Sequence, residues 1–235
     1  MRYTGAMDGS PSLRPATLWG ARLWRAQVRS GAFLRALLAA LALVVAGRTF
    51  DLFAFTPDER RAGLLGVQTG AFLGAAWTVT GPSILGGYRD PDDGWTATLR
   101  SSPVGTAGLW WGSWGAQAGG GLLLLAISML TTIVFSILSG LPTSIPLAGA
   151  VAGVLAVVVP GLVASAVAVW AGGLFGAVAG LASFVLGQIG GVGLFRAFGP
   201  GPVGATWDGA DLARTFALGV AAVAATTAGL RRLRL

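Results

Sequence analysis

Apolar residues fill six long stretches of this chain, and the polar residues between them are gathered into a few short segments. The longest uncharged interval lies between Arg100 and Arg196, 95 residues without one Asp, Glu, Lys, Arg or His. Gly, Pro, Ser and Thr punctuate it, and a run of that kind does not make a soluble core. A membrane-crossing helix takes about 20 apolar residues, so the interval holds roughly three or four crossings.

Taken along the whole chain, the pattern predicts an all-α membrane protein of six spans, at 35–55, 63–86, 115–139, 147–170, 173–195 and 214–230. Length decides how 147–195 divides. A break at Pro160 leaves thirteen residues ahead of it, about 20 Å of helix against a hydrocarbon thickness of about 30 Å. A break near Ala171–Gly173 gives two adequate spans and makes Pro160 a kink within the fourth. Gly66, Gly70 and Gly74 recur every fourth residue in the second span and predict close approach of a neighbouring helix. The Trp110, Trp111 and Trp114 cluster predicts an aromatic belt at the membrane interface.

Residues 1–13 read as a flexible tail, followed over 14–34 by an amphipathic helix. Arg22, Arg25 and Arg29 fall at i, i+3 and i+7, with Trp19, Leu23 and Ala26 on a neighbouring stripe. This spacing predicts an interfacial helix on the anionic cytoplasmic leaflet, with Trp19 and Trp24 at headgroup level. The long Arg-bearing stretch ahead of the first span makes that span an uncleaved anchor rather than a signal peptide. Arg48 and Asp51, one turn apart near its outer end, predict an ion pair or snorkelling at the interface.

Charge sharpens the picture. Only 11% of residues are charged and the mean hydropathy is +0.73, against about 25% charged residues in ordinary soluble domains. All sixteen basic residues are Arg, and His and Cys are absent. Without Lys there is no P-loop; without Cys and His there is no thiol nucleophile, Ser-His relay, or thiolate or imidazole metal site. Six spans put both termini on one side, with eleven Arg against four acidic residues there and five against five on the other. The positive-inside rule makes the first side cytoplasmic. It also accounts for a pI of about 11.5 without a nucleic-acid partner. Heavy Ala, Gly and Arg usage suggests a GC-rich bacterial genome, and so a bacterial plasma membrane.

One dense polar segment lies between spans two and three: Tyr88-Arg-Asp-Pro-Asp-Asp-Gly-Trp-Thr-Ala-Thr-Leu-Arg-Ser-Ser-Pro-Val104. It resembles the cytoplasmic loop of the ABC-2 type exporter permeases, which carries acidic residues, a Gly, a short helix with Leu, and a small residue before Pro. Asp90 and Asp92 match the acidic pair, Gly94 the Gly, Leu99 the helix Leu, and Ser102-Pro103 the closing dipeptide. Trp95 departs from the family, which commonly has Thr there. The six-span plan, the amphipathic start and the Gly/Pro-rich outer connection 196–213 extend the resemblance over most of the chain.

The resemblance implies an ABC-2 (type V exporter-like) architecture, in which two permease chains face each other above two separate ATPase subunits. ATP and Mg would then belong to the partner, with no cofactor on this chain, and membrane lipids would surround it. Loop 88–104 would dock on the ATPase, with Asp92, Asp93 and Arg100 making charged contacts and Leu99 an apolar anchor. Candidate groups along the pathway are Gln68, Thr69, Phe72, Gln117, Ser128, Thr131, Thr132 and Gln188. The expected cargo is amphipathic: a drug, a lipid or a secondary metabolite. Gly-rich faces at Gly70 and Gly176 are the expected dimer contacts.

Two other readings compete. Asp208-Gly-Ala-Asp-Leu-Ala-Arg214 is similar to the metal motif of membrane phosphatidyl-alcohol transferases. That motif needs two residues between Asp-Gly and Ala-Arg, whereas three stand here and no Asp follows Asp211. A capped start to span six explains the aspartates as well. The other reading is a noncatalytic assembly subunit or an ATP-independent transporter; the uncharged interior of 101–195 argues against proton coupling.

Overall fold

A computed structural model describes residues 13–53, 59–87, 105–189 and 209–232. All the described elements are helices: α1 (Leu13–Val28), α2 (Gly31–Leu52), α3 (Glu59–Gly87), α4 (Gly105–Ser139), α5 (Leu147–Ala171), α6 (Gly173–Ile189) and α7 (Gly209–Arg232). Four helices are long and apolar enough to cross a membrane: α2, α4 from Ala107, α5 and α7. α6 is apolar but shorter. The described residues are those of an α-helical membrane protein.

α3 is outside those four although it has 29 residues, because Gln68, Thr69, Thr78 and Thr80 and repeated glycines dilute its apolar character. Its position explains the composition. α3 packs on α2, α4, α5 and α6, so little of it faces lipid, and residues that admit neighbouring backbones matter more than apolar bulk. A Cβ at Gly70 would stand 2.7 Å from the Leu125 Cα, and one at Gly74 would stand 2.6 Å from the Gly121 carbonyl oxygen. Val67, Ala71, Ala75, Leu125, Ala156, Val157 and Phe184 form the core around this axis.

Helix ends follow local chemistry. Ser30 caps α2, its hydroxyl accepting from the Phe33 N–H at 3.2 Å. Gly172, at φ 100°, ends α5 and donates its N–H to the Ala168 carbonyl at 2.9 Å; that backbone region is open to glycine and costly for other residues. Pro160 lies within α5 without ending it.

Contacts fix the helix directions. Trp19 meets Ser113 and Trp24 meets Gly119, so α1 runs parallel to the first half of α4. α2 continues beside the second half, where Arg48 reaches Ser136. α3 is antiparallel to α4, matching Gly74 with Gly121 and Gly66 with Thr132. α5 and α7 are parallel, matching Val159 with Gly219 and Val169 with Gly229. One end of the bundle therefore gathers the starts of α1, α4 and α6 with the ends of α3, α5 and α7. Arg22, Arg25, Arg231 and Arg232 belong to that end, and Arg232 stacks 4.5 Å from the centre of the Trp170 ring. The opposite end holds the charge-balanced pairs Arg48–Asp51 and Asp211–Arg214.

Several side chains sit differently from their sequence expectations. Trp110 is buried against Ala168, Val169 and Leu230, and Trp114 lies beside Gly161, so neither forms an outward belt. Small residues on α5 make room for both indoles. Trp19 and Trp24 face α4, where the Trp19 indole donates to the Ser113 hydroxyl at 3.1 Å. Gly70 and Gly176 are consumed inside one chain: Gly70 against α4, and Gly176 with a Cβ position 2.6 Å from the Ala164 carbonyl oxygen of α5. They are internal contacts, so neither glycine is free to meet a second chain.

Candidate functional site

Arg48 and the candidate path residues fall into three places. At the charge-balanced end, Arg48 is 1% exposed, enclosed by α2, the end of α4 and the turn after it. Its Nη1 donates to the Asp51 carboxylate at 2.7 Å, and its Nη2 donates to the Ser136 hydroxyl at 2.6 Å and to the Pro142 carbonyl at 3.4 Å. The expected pair with Asp51 is present, but Arg48 is enclosed by protein instead of snorkelling. A buried charge persists when it is paired and hydrogen-bonded, and these three acceptors meet that condition for both terminal nitrogens. Ser136 in turn donates to the Thr132 carbonyl at 2.6 Å.

The second place is the α4 face that meets α3. Ser128 donates to the Leu124 carbonyl at 2.9 Å, Thr131 to Ile127 at 2.8 Å and Thr132 to Ser128 at 2.9 Å. Hydroxyls in membrane helices commonly bond to the preceding turn in this way, and here they let α4 present a smooth surface to Gly66 and Gly70. Gln117 packs over Gly81, and its buried Oε1 finds no hydrogen-bond partner among the described residues.

The third place is an outer surface of α3 and α6. The Phe72 and Phe184 rings lie 5.9 Å apart, and Gly180 meets Val79, which sets the two helices antiparallel. One turn along the same register, Gln68 is level with Gln188, both half-buried. Phe72 is 56% exposed, and Val178, Leu181 and Val185 extend the exposed face along α6. Thus Gln68, Thr69, Phe72 and Gln188 gather on one surface. Gln117, Ser128, Thr131 and Thr132 lie elsewhere and do not join it.

Asp90, Asp92, Asp93, Gly94, Leu99, Arg100, Ser102 and Pro103 lie outside the described residues, as does the connection 196–208. The side chains of Ser136 and Thr78 escaped the sequence reading. Ser136 continues the row Ser128, Thr132 at the same four-residue spacing, a signal that was present. Thr78 donates from α3 to the Val157 carbonyl of α5 at 2.8 Å, a contact across 79 residues with no local mark. Among the described residues no group of three or more His, Cys, Asp or Glu side chains comes together. No family model, curated protein or solved structure matches this chain.

Proposed function

We propose that this chain is the membrane permease subunit of an ATP-driven ABC-2 type exporter. In this reading it spans a bacterial plasma membrane six times with both termini in the cytoplasm, and a separate ATPase binds ATP and Mg. A second permease chain completes the pathway, and the cargo is an amphipathic drug, lipid or secondary metabolite.

The reading rests on one relationship. Residues 88–104, whose sequence resembles the ATPase-docking loop, join the last turn of α3 to the first turn of α4, the two helices locked along the bundle axis by the glycine contacts. α4 has 35 residues, about 52 Å at about 1.5 Å each, well beyond a hydrocarbon core of about 30 Å. Its first turns therefore project past the membrane at the Arg-rich end, where α1 and the ends of α5 and α7 brace them. A push on the loop acts on α3 and α4 as one body, and Arg48 ties the far end of α4 to α2. ATP binding then shifts the population between inward- and outward-open states.

A second chain would face the exposed α3–α6 surface, which carries Phe72, Val178, Leu181 and Val185. The first experiment is gentle purification from native membranes with mass spectrometry of every co-purifying subunit. A stoichiometric ATPase is the expected result. A stable, intact chain without one overturns the reading in favour of a noncatalytic assembly subunit.

A further inference from the structure

α4 and α5 meet at the Arg-rich end of the bundle along two facing stripes. On α4, Trp110, Trp114 and Gln117 fall at i, i+4 and i+7, one side of the helix. Each carries a buried polar atom, the two indole Nε1 and the Gln117 Oε1, with no hydrogen-bond partner among the described residues. On α5, Gly161 faces the Trp114 indole, its Cβ position 3.3 Å from Nε1, while Ala168 and Val169 pack with Trp110. Ser165 stands one turn from each of these contacts and shares their face. Its Oγ likewise has no partner among the described residues, although the residue is 0% exposed.

Ser165 departs from the other helical hydroxyls of the interior. Ser128, Thr132, Ser136, Thr215 and Thr226 are buried, and each donates to the carbonyl four residues back. Ser165 makes no such bond and lies opposite two indoles, which can only donate. Buried polar groups are satisfied by protein or by ordered water, so these three need a molecule that accepts from the indoles and donates to the hydroxyl.

Size and charge select that molecule. Trp110 is 6% exposed and Ser165 fully enclosed, which closes the seam to an organic ligand. α4 and α5 hold no charged residue, so an ion there would be desolvated without a counter-charge. Water fits, since it settles where about 2–4 polar groups converge. Supply agrees: α4 has 35 residues against about 20 for one crossing, and both indoles lie in its first ten, beyond the hydrocarbon.

We infer that the seam between α4 and α5 holds buried water, which accepts from the Trp110 and Trp114 indoles and donates to the Ser165 hydroxyl oxygen. The contact at the Arg-rich end is then held by exchangeable solvent, whereas deeper in the bundle Thr78 bonds the Val157 carbonyl of α5 directly. This inference involves no ATPase and no cargo, and so is independent of the transport reading.

The test places an isotopic label at the indole nitrogens of the purified chain, in detergent micelles, and records nuclear Overhauser transfer from water to each indole hydrogen. Trp110→Phe and Trp114→Phe assign the two resonances. Transfer to both is expected, with the sign of bound water rather than of chemical exchange. Ser165→Ala should keep it, because the indoles still hold water. Ser165→Val fills the space with methyl groups and should abolish it, with the melting curve reporting an intact fold. Absence of transfer in the parent would overturn the inference on its own, even if Ser165→Val does not fold. Loss in Ser165→Ala would overturn it by tracing the transfer to the hydroxyl hydrogen, and undiminished transfer in a folded Ser165→Val would overturn it by placing the water elsewhere.

Discussion

Arg48 and Ser136 are 88 residues apart in sequence and 2.6 Å apart in space, joining the last turns of α2 to the last turns of α4. Neutral interhelical hydrogen bonds in membranes contribute about 0.6 kcal/mol on average. This one is charged and buried, which raises its expected contribution to about 1.5–3 kcal/mol. Ser136→Ala should cost that much, read as unfolding free energy in micelles. Asp51→Ala should cost more, about 3 kcal/mol, because it leaves a buried guanidinium without its counter-charge. Adding Arg48→Leu to Asp51→Ala should recover part of the loss. Equal, small effects from all the variants would show that the pair is only a surface contact.

Two glycines should respond in opposite directions. A Cβ at Gly70 presses on the Leu125 backbone, whereas at Gly115 it meets open space. Gly70→Ala should therefore destabilise the bundle by about 1–3 kcal/mol, the usual cost of overpacking. Gly115→Ala should be neutral or stabilise by up to about 1 kcal/mol through helix propensity. Thermal melts of the two variants, compared with the parent, check both signs.

The position of α1 can be tested by crosslinking, since the chain has no cysteine of its own. A Cβ at Gly20 would be 3.6 Å from the Gly112 Cα, within the approach that a disulfide needs. Gly20→Cys/Gly112→Cys should oxidise within one chain in membranes. Gly31→Cys/Gly112→Cys should not, as Gly31 faces open space. A helix lying flat and apart from α4 would give no crosslink in either pair.

The helical character was legible in the sequence because lipid and backbone impose it: apolar length alone marks α2, α4, α5 and α7. The break at Gly172 was legible too, since thirteen residues before Pro160 are too few for a crossing and glycine marks the nearest alternative. Side-chain direction was less so. Trp110 and Trp114 turn inward because Ala168 and Gly161, more than 40 residues away, leave space for them. The same clustering of indoles would equally serve a belt. The first ten residues of α4 lie outside the expected span 115–139 because their tryptophans read as an interface belt; in the bundle Gly112 among them admits α1. Among the candidate path residues, the grouping of Gln68 with Gln188 depends on the α3–α6 register, which local periodicity does not carry.

The central claim is that 88–104 couples the bundle to a separate ATPase. The most direct test isolates the chain with its co-purifying subunits in native lipid and measures ATP hydrolysis with the parent, Asp92→Ala and Leu99→Ala chains. The account predicts cargo-stimulated hydrolysis in the parent, and loss of that stimulation or of the ATPase itself in the variants, with the helical melt unchanged. Hydrolysis and assembly indifferent to both substitutions would contradict it.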